Sequence, residues 1–454
     1  MPSKLSRLTQ TLGTDLHYRS TGRVIGVKGQ ALLVQIPQAA IGDLCTIKLR
    51  NGKSTAAEIV GFKEDTYFVT PFSGLQGVFP GAIVENSGSA PQLAISNHLI
   101  GSVVDALGRP FSEAAADQSN GARDEAAQQL TTSPVRAPAP NPLTRKPVTE
   151  CLETGISSID TLLSLGYGQR IGLFAGAGTG KSTLLGSIAR NAAVDLTVIA
   201  LVGERGREVN EFIESALGAE GLRRSIVVVS TSAESPVKRR LAALSATAYA
   251  EYFRNQGLRV LLLVDSLTRL ARAIREISIA AGEPPVQRGY TPSVYTELPQ
   301  LLERSGNNDR GSITALYTVL TTDDYDPLGE EIKSLLDGHI VLSQQLAAQG
   351  VRPAIDPTAS VSRLFSRLHS ADYLLAAGAI QELLARLKRD RDIILFGGTP
   401  DRELQAALTI WNRLKTLLSQ RPQENRPAEE SRRELLNLAA LFQAQRREPI
   451  TAAK

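Results

Sequence analysis

The chain has 454 residues, with 50 Lys and Arg against 46 Asp and Glu, which gives a formal net charge of +4 and room for about three domains. A content of 42% hydrophobic and 21% charged residues is typical of a globular protein and excludes a disordered or fibrous chain. No apolar run approaches the ~20 residues that span a bilayer, the N-terminus lacks the apolar stretch of a signal peptide, and two distant cysteines, Cys45 and Cys151, fit a reducing cytosol rather than a disulfide framework.

The first hundred residues divide into a short leader and a β-rich segment. Residues 1–20 carry leucines at helical spacing, which indicates either a short amphipathic helix or, as we prefer, a frayed terminus. Residues 21–100 contain short, regularly spaced β-type runs, and Asn51-Gly52 is a hairpin signal. Such spacing predicts a small β-barrel domain. The clearest runs are residues 23–27, 31–36 and 57–62.

Residues 101–146 are predicted to connect the barrel to the next domain. Within them, residues 111–145 combine an alanine run, Ser-Asn-Gly and a proline-spaced stretch at 133–140. A sequence of this kind buries little apolar surface, so we expect a loop.

Residues 147–368 predict an α/β domain with a mostly parallel sheet. Their apolar runs are continuous rather than alternating, as in strands buried on both faces, and helical stretches lie between them. These runs are residues 172–175, 197–202, 226–229, 260–264 and 313–320.

Residues 369–454 predict a helical C-terminal domain. Apolar side chains recur at helical spacing in two stretches, one containing Ile380 and Leu383 and one containing Leu404 and Leu414, and we interpret both as the core of a bundle. Residues 421–433 are polar, with two prolines, and predict a loop before a last helix at about 435–445.

The strongest functional signal is a phosphate-binding P-loop between an apolar strand and a helical run. Glycines allow backbone N–H groups to surround phosphate oxygens at the start of a helix. In such a loop, Lys181 reaches the β- and γ-phosphates and Ser182 holds Mg²⁺. The predicted nucleotide-binding residues are Ala175, Gly176, Ala177, Gly178, Thr179, Gly180, Lys181, Ser182 and Thr183.

Two acidic groups at strand ends complete the predicted site. Asp265 ends an apolar run that we expect to neighbour the P-loop strand, where it would help to hold Mg²⁺. The residue after it is Ser266 rather than a glutamate, so the group that activates water must lie elsewhere. We assign that role to Glu204, which follows another strand, because ligands of open parallel sheets bind at the carboxyl ends of the strands. Glu208 is a weaker candidate for a magnesium contact.

Motifs beyond the P-loop resemble the catalytic subunits of F-type rotary ATPases and, more closely, the ATPases of type III protein export in flagella and injectisomes. The likeness is dense from about residue 101 to residue 363 and thinner at both ends. The matching segments include residues 101–110, 203–212, 282–285, 289–294, 301–304, 311–320 and 336–343.

The resemblance implies an N-terminal β-barrel, a RecA-like P-loop ATPase core, a helical C-terminal domain, and a ring of six identical subunits that bind ATP and Mg²⁺ at their boundaries. It makes Arg363 an arginine finger for the neighbouring subunit and Arg205 a second catalytic arginine. Arg352 replaces the tyrosine that usually stacks on adenine, and its guanidinium plane can also stack on a base, with looser base selectivity. The loop at 321–327 is shorter than usual, and the segment at 396–401 follows the family pattern only loosely.

The functional hypothesis is an ATPase that energises type III export from the cytoplasmic face of the inner membrane. The resemblance implies stalk and stator proteins, secretion chaperones and effector substrates as partners, with peripheral membrane contact. One alternative is a non-catalytic nucleotide-binding subunit of a rotary ATPase. Glu204 counts against this alternative, because such subunits carry Gln at the position of Glu204. The other is a Rho-like RNA translocase, but the barrel segment lacks an RNA-binding signature and the net charge is small, so we expect no nucleic acid.

Overall fold

The computed structural model describes residues 20–111, 131–321, 326–390 and 399–447. The amphipathic segment indicated at the N-terminus lies outside these residues, as do residues 322–325 of the shortened loop and residues 396–398 of the loosely matching segment. Within the described ranges, no helix is both long enough and apolar enough to cross a membrane.

The N-terminal domain is a closed, six-stranded antiparallel barrel. Side chains alternate between interior and solvent along its strands, and Val34, Ile47 and Ile59 are fully buried in the interior. The strand order is β1-β2-β5-β4-β3-β6, which confirms the predicted barrel. The strands are β1 (Thr21–Lys28), β2 (Ala31–Gln35), β3 (Leu44–Lys48), β4 (Ser54–Lys63), β5 (Thr66–Pro71) and β6 (Ile83–Asn86).

Residues 112–130 of the predicted loop lie outside the described residues, and the described parts of the segment after the barrel contain more regular structure than the sequence indicates. It contributes β7 (Gln92–Ile95), a 3₁₀ turn (Asn97–Leu99), β8 (Val103–Asp105), β9 (Thr131–Pro134) and a second 3₁₀ turn (Pro142–Thr144). The prediction of a loop is wrong for β9, which pairs antiparallel with β7. Pairing satisfies the backbone polar groups of β7, whose Leu93 and Ile95 are fully buried and keep that strand away from water.

The central domain contains a nine-stranded, mostly parallel sheet in the order β19-β18-β12-β17-β15-β13-β14-β8, with β16 paired to β17 at the side. A separate two-stranded pair, β10 with β11, packs nearby. The strands are β10 (Cys151–Leu152), β11 (Leu165–Gly166), β12 (Arg170–Ala175), β13 (Leu196–Glu204), β14 (Ser225–Thr231), β15 (Arg259–Asp265), β16 (Gly306–Asn307), β17 (Ser312–Leu320), β18 (Gly338–Leu342) and β19 (Val361–Ser362).

Helices cover both faces of this sheet, which explains its continuous apolar runs. Along β13, Val198 packs in one core with Leu241, and the next residue, Ile199, packs in the other core with Leu185. The helices are α1 (Ser157–Leu162), α2 (Lys181–Asn191), α3 (Gly206–Glu211), a π-helical stretch (Phe212–Leu217), α4 (Gly218–Arg223), α5 (Pro236–Asn255), α6 (Leu267–Ala280), α7 (Pro292–Leu302), α8 (Pro327–Leu335), α9 (Gln344–Ala348) and α10 (Phe365–Leu368).

In the described part of the C-terminal domain, three helices form a bundle: α11 (Ala371–Arg389), α12 (Arg402–Leu418) and α13 (Ala428–Arg447). Their shared core includes Ile380, Leu414 and Phe442, and Leu162 of α1 packs into it from the central domain. The predicted loop at 421–433 ends too late, because α13 begins at Ala428. Glutamates in its first turn favour a helix start there, since they complement the helix dipole.

Candidate active site

The glycine-rich loop follows β12 and leads into α2, as the sequence predicts. Gly178 and Gly180 have φ angles of +74° and +89°, which glycine adopts without strain, and a Cβ on Gly178 would meet no atom within 4 Å. The buried Thr179 hydroxyl donates a hydrogen bond to the Gly176 carbonyl oxygen at 2.9 Å and fixes the loop. Ser182, in the first turn of α2, is exposed. Free backbone N–H groups at this helix start can bind phosphate.

Lys181 lies between two carboxylates at the carboxyl edge of the sheet. Its Nζ atom forms an ion pair with Asp265 and lies 3.6 Å from Glu204 Oε1. Thr318 donates a hydrogen bond to Asp265 Oδ1 at 2.7 Å. The side chains of Asp265 and Glu204 are only 3% and 9% exposed, so the ammonium group offsets the repulsion between two nearly buried negative charges.

Arg269, which is absent from the predicted site residues, supplies a second cation. Its Nη2 atom lies 3.0 Å from Glu204 Oε2, and its Nη1 atom donates to the Gly203 carbonyl oxygen. The register between β13 and β14 shifts between Val202 and Glu204, and Gly203 has a φ of +68°. A Cβ on Gly203 would come within 3.4 Å of the Arg269 side chain, so glycine leaves room for this approach.

The electrostatics of the site bring the titration of Glu204 close to neutral pH. Burial, reinforced by the neighbouring Asp265 carboxylate, raises the pKa of Glu204 to about 7, although Lys181 and Arg269 act in the opposite direction. A carboxyl group whose pKa lies near the working pH can accept a proton and release it again.

The strand order corrects one expectation about the site. We expected Asp265 on a strand next to β12, but β17 pairs with both β12 and β15 and separates them. The separation does not divide the site, because the long Lys181 side chain reaches across and Thr318 on the intervening β17 contacts Asp265. The order of parallel strands depends on tertiary packing, so apolar runs alone do not reveal it.

A cavity of about 290 Å³ opens beside the P-loop. Arg352 borders it, with Nη1 3.6 Å from the position that a Cβ on Gly180 would occupy. The central domain supplies one wall and the loop between α12 and α13 of the C-terminal bundle supplies the other, which the sequence gives no reason to expect. The cavity is lined by Ile156, Thr179, Gly180, Thr183, Leu184, Ser187, Arg352, Pro353, Gln420, Arg421 and Pro422.

Three predicted site residues are exposed at the edge of the buried cluster, and of these Glu208 shares a side-chain hydrogen bond with Glu204. Arg205 and Glu208 are exposed, with 3.6 Å between the guanidinium and the carboxylate. Arg363 is exposed just after β19, and its Nη2 atom donates to the Lys333 carbonyl oxygen at 3.3 Å. Across the described ranges, none of the three forms an ion pair with Lys181. The catalytic roles of Arg205 and Arg363 and the magnesium contact of Glu208 therefore remain predictions.

The residues present fit a magnesium-bound triphosphate. Mg²⁺ prefers oxygen ligands and typically takes one or two protein ligands together with phosphate oxygens. The Ser182 hydroxyl and the Asp265 carboxylate are such ligands. The buried Glu204 Oε1 atom accepts no hydrogen bond within the described part of the chain, so it is a free acceptor beside the P-loop.

Comparison with known proteins agrees with this geometry. The family model of the ATP synthase alpha/beta nucleotide-binding domain matches residues 155–362, and the model of the beta-barrel domain of the same family matches residues 21–88. The first match contains the P-loop, Glu204 and Asp265, and the second contains the observed barrel.

The most informative relatives are ATPases of two export machines. The flagellum-specific ATP synthase of Bacillus subtilis is 44% identical over 421 residues, which cover 91% of this chain and 94% of that protein. The type 3 secretion system ATPase of Xanthomonas euvesicatoria is also 44% identical, over 87% of this chain and 88% of that protein. The chain belongs to this family of export ATPases. The resemblance inferred from the motifs is thereby confirmed.

Solved structures extend the agreement to the whole fold of this ATPase. The assembled ATPase EscN of the enteropathogenic E. coli type III secretion system matches with a TM-score of 0.83 and 38% identity, over 92% of this chain and 100% of that one. EscN in complex with its central stalk EscO gives a TM-score of 0.82. The predicted RecA-like core with barrel and helical domains is confirmed. Neither the non-catalytic subunit nor the RNA translocase is favoured.

Proposed function

We propose that six copies of this chain form a ring that hydrolyses ATP with Mg²⁺ and energises type III protein export. The observation that carries the chemistry is the buried cluster in which Lys181 lies between Glu204 and Asp265 at the end of the P-loop. The biological role is supported by family membership, since the relatives serve flagella and type 3 secretion systems.

The P-loop binds the triphosphate through backbone N–H groups at the start of α2 and through the Lys181 ammonium group. Ser182 and Asp265 would hold Mg²⁺, with Glu208 as a further candidate. When bound, Mg²⁺ neutralises charge on the phosphate oxygens. Asp265 is already held by Thr318, so its carboxylate needs little reorganisation to act as a ligand.

Glu204 orients and polarises the attacking water. Its carboxylate lies beside Lys181, and Arg269 holds its Oε2 atom at 3.0 Å, which leaves Oε1 free to accept a hydrogen bond from water. Arg269 is thus a positioning residue for Glu204. The raised pKa of Glu204 makes the carboxylate a stronger base than an ordinary glutamate.

We expect kcat/KM for ATP hydrolysis to fall by about tenfold per pH unit below the pKa of the free enzyme's essential base. For Glu204 that pKa is about 7, and only the ionised carboxylate, which dominates above it, can accept a proton. Initial rates at subsaturating ATP across the pH range check this. A profile that stays flat down to about pH 5 would contradict the assignment of an elevated pKa to the base.

The second half of the site is supplied by the neighbouring subunit in our proposal. Arg363 is exposed and its described contact is a backbone carbonyl, so it is accessible to a second copy of the chain. There it stabilises the charge that develops on the γ-phosphate, with Arg205 as a second arginine near the phosphate. Arg352 stacks on the base. The assembled EscN structure supports a ring.

The partners follow from family membership. EscN is recorded with its central stalk EscO, which supports a coiled-coil stalk partner for this ring. We further propose stator proteins, secretion chaperones and effector substrates as partners, and a location at the cytoplasmic face of the inner membrane with peripheral contact. No nucleic acid takes part in this proposal.

We expect Lys181→Ala to lower Mg²⁺-dependent ATP hydrolysis by at least about 10²-fold, because it removes the positive charge at the phosphates. The measurement is steady-state ATPase activity at several protein concentrations together with ring size. Lys238→Ala, on α5, serves as a matched control and should keep wild-type activity. Normal hydrolysis by Lys181→Ala, or no hydrolysis by the wild type at any concentration, would refute the proposed function.

A further inference from the structure

Gln420 lines the cavity beside the P-loop, two residues after the end of α12 of the C-terminal bundle. Its side chain is buried, although polar amides are usually exposed. A buried amide must satisfy its hydrogen bonds within the protein, so its partners reveal what it holds together.

The partners of Gln420 come from both domains. Its Oε1 atom accepts a hydrogen bond from the Ser157 backbone N–H at 3.1 Å, and its Nε2 atom donates to the Gly155 carbonyl oxygen at 2.6 Å. The same Nε2 atom donates to the Glu424 carbonyl oxygen at 2.7 Å, and the Gln420 backbone N–H donates to the Arg352 carbonyl oxygen at 2.5 Å. One residue therefore joins the start of α1, the segment carrying Arg352 and the chain that leads to α13.

A second contact joins the 420–424 segment to α2, the helix that follows the P-loop. The Pro422 carbonyl oxygen accepts hydrogen bonds from the Ser187 hydroxyl at 2.7 Å and from the Arg190 guanidinium, both on α2. The 420–424 segment thus rests against the helix that begins with Lys181. The distance between the 420–424 segment and the P-loop sets the width of the cavity.

We propose that Gln420 is the positioning residue of the base half of the nucleotide site. It holds the segment that carries Arg352 and the 420–424 segment at a separation that a nucleotide base can fill. A base bound in the cavity then contacts the central domain and the C-terminal domain together. Because Nε2 and Oε1 are both engaged, Gln420 does not read the edge of the base. The inference rests on the proposed function, since it presumes that a nucleotide binds here.

The side-chain test uses Gln420→Met, which keeps the length of the side chain but removes its three hydrogen bonds. We expect KM and Kd for ATP to rise by about tenfold, with kcat within about twofold, because a lost buried hydrogen bond costs on the order of one factor of ten. Inorganic tripolyphosphate with Mg²⁺, which has no base, should bind the variant as tightly as it binds wild type. Gln405→Met, at an exposed position of α12, should leave every constant unchanged.

Equal weakening of ATP and tripolyphosphate binding would overturn the inference, because a merely structural defect affects both ligands. An unchanged KM for ATP would overturn it as well. These outcomes are distinct from failure of the proposed function, in which wild type itself would hydrolyse no ATP.

A second measurement needs no variant. In wild type, ATP should slow amide hydrogen exchange of peptides covering residues 155–157 and 420–424, because a bound base presses the two walls together. Tripolyphosphate with Mg²⁺ should protect the P-loop peptide but leave these two peptides unchanged. Equal protection by both ligands would contradict a role confined to the base half of the site.

Discussion

Glu204→Gln should lower kcat for ATP hydrolysis by about 10²–10⁴-fold, the usual contribution of a positioned acid or base, while the Kd for ATP stays close to that of wild type. Glutamine has the size of glutamate and can still accept a hydrogen bond from Arg269, so the pocket keeps its shape. It cannot take a proton from water. Pre-steady-state binding of a fluorescent ATP analogue, measured beside steady-state turnover, separates the two effects.

Glu214→Gln is the matched control for Glu204→Gln, because Glu214 is an exposed glutamate on the π-helical stretch that follows α3. It should turn over ATP at the wild-type rate. A Glu204→Gln variant that retained more than about a tenth of wild-type kcat would move the role of base to another residue. Glu208 would then be the first candidate, since its carboxyl group shares a hydrogen bond with that of Glu204.

The domain architecture and the phosphate-binding part of the site can be predicted from the sequence, because both depend on residues that are close together in the chain. Continuous apolar runs report burial on both faces of a sheet, and the P-loop is a contiguous stretch whose glycine and lysine spacing follows from phosphate geometry. Glu204 and Asp265 are also predictable, because each ends an apolar run, and strand ends of a parallel sheet meet at one edge.

The features that were missed depend on tertiary contacts. Arg269 lies within an ordinary amphipathic helix, and only the packing of that helix beside the end of β13 brings its side chain to Glu204. Gln420 is one polar residue in a polar stretch, and its four hydrogen bonds reach residues as distant in sequence as Gly155. Likewise, β9 has no apolar pattern of its own, and it is a strand because its backbone pairs with β7, which lies far away in the sequence.

Arg363→Ala should have the other large effect, lowering kcat by about 10³–10⁵-fold, as expected for loss of an arginine finger. ATP affinity should change little, because Lys181 and the P-loop of the binding subunit remain intact. The control is Arg367→Ala, four residues further along the chain, where the arginine is likewise exposed. Ring size must be measured in parallel, since a variant that fails to assemble would lose activity for another reason.

Mixing two inactive variants decides whether Arg363 acts within its own subunit or on its neighbour. In a ring assembled from equal amounts of Arg363→Ala and Glu204→Gln subunits, about a quarter of the boundaries pair an intact Glu204 with an intact Arg363 from the adjacent copy. If the arginine acts across the boundary, these sites hydrolyse ATP and activity returns. If it acts within its own subunit, every subunit of the mixture lacks one essential group, and no ratio of the two variants restores turnover.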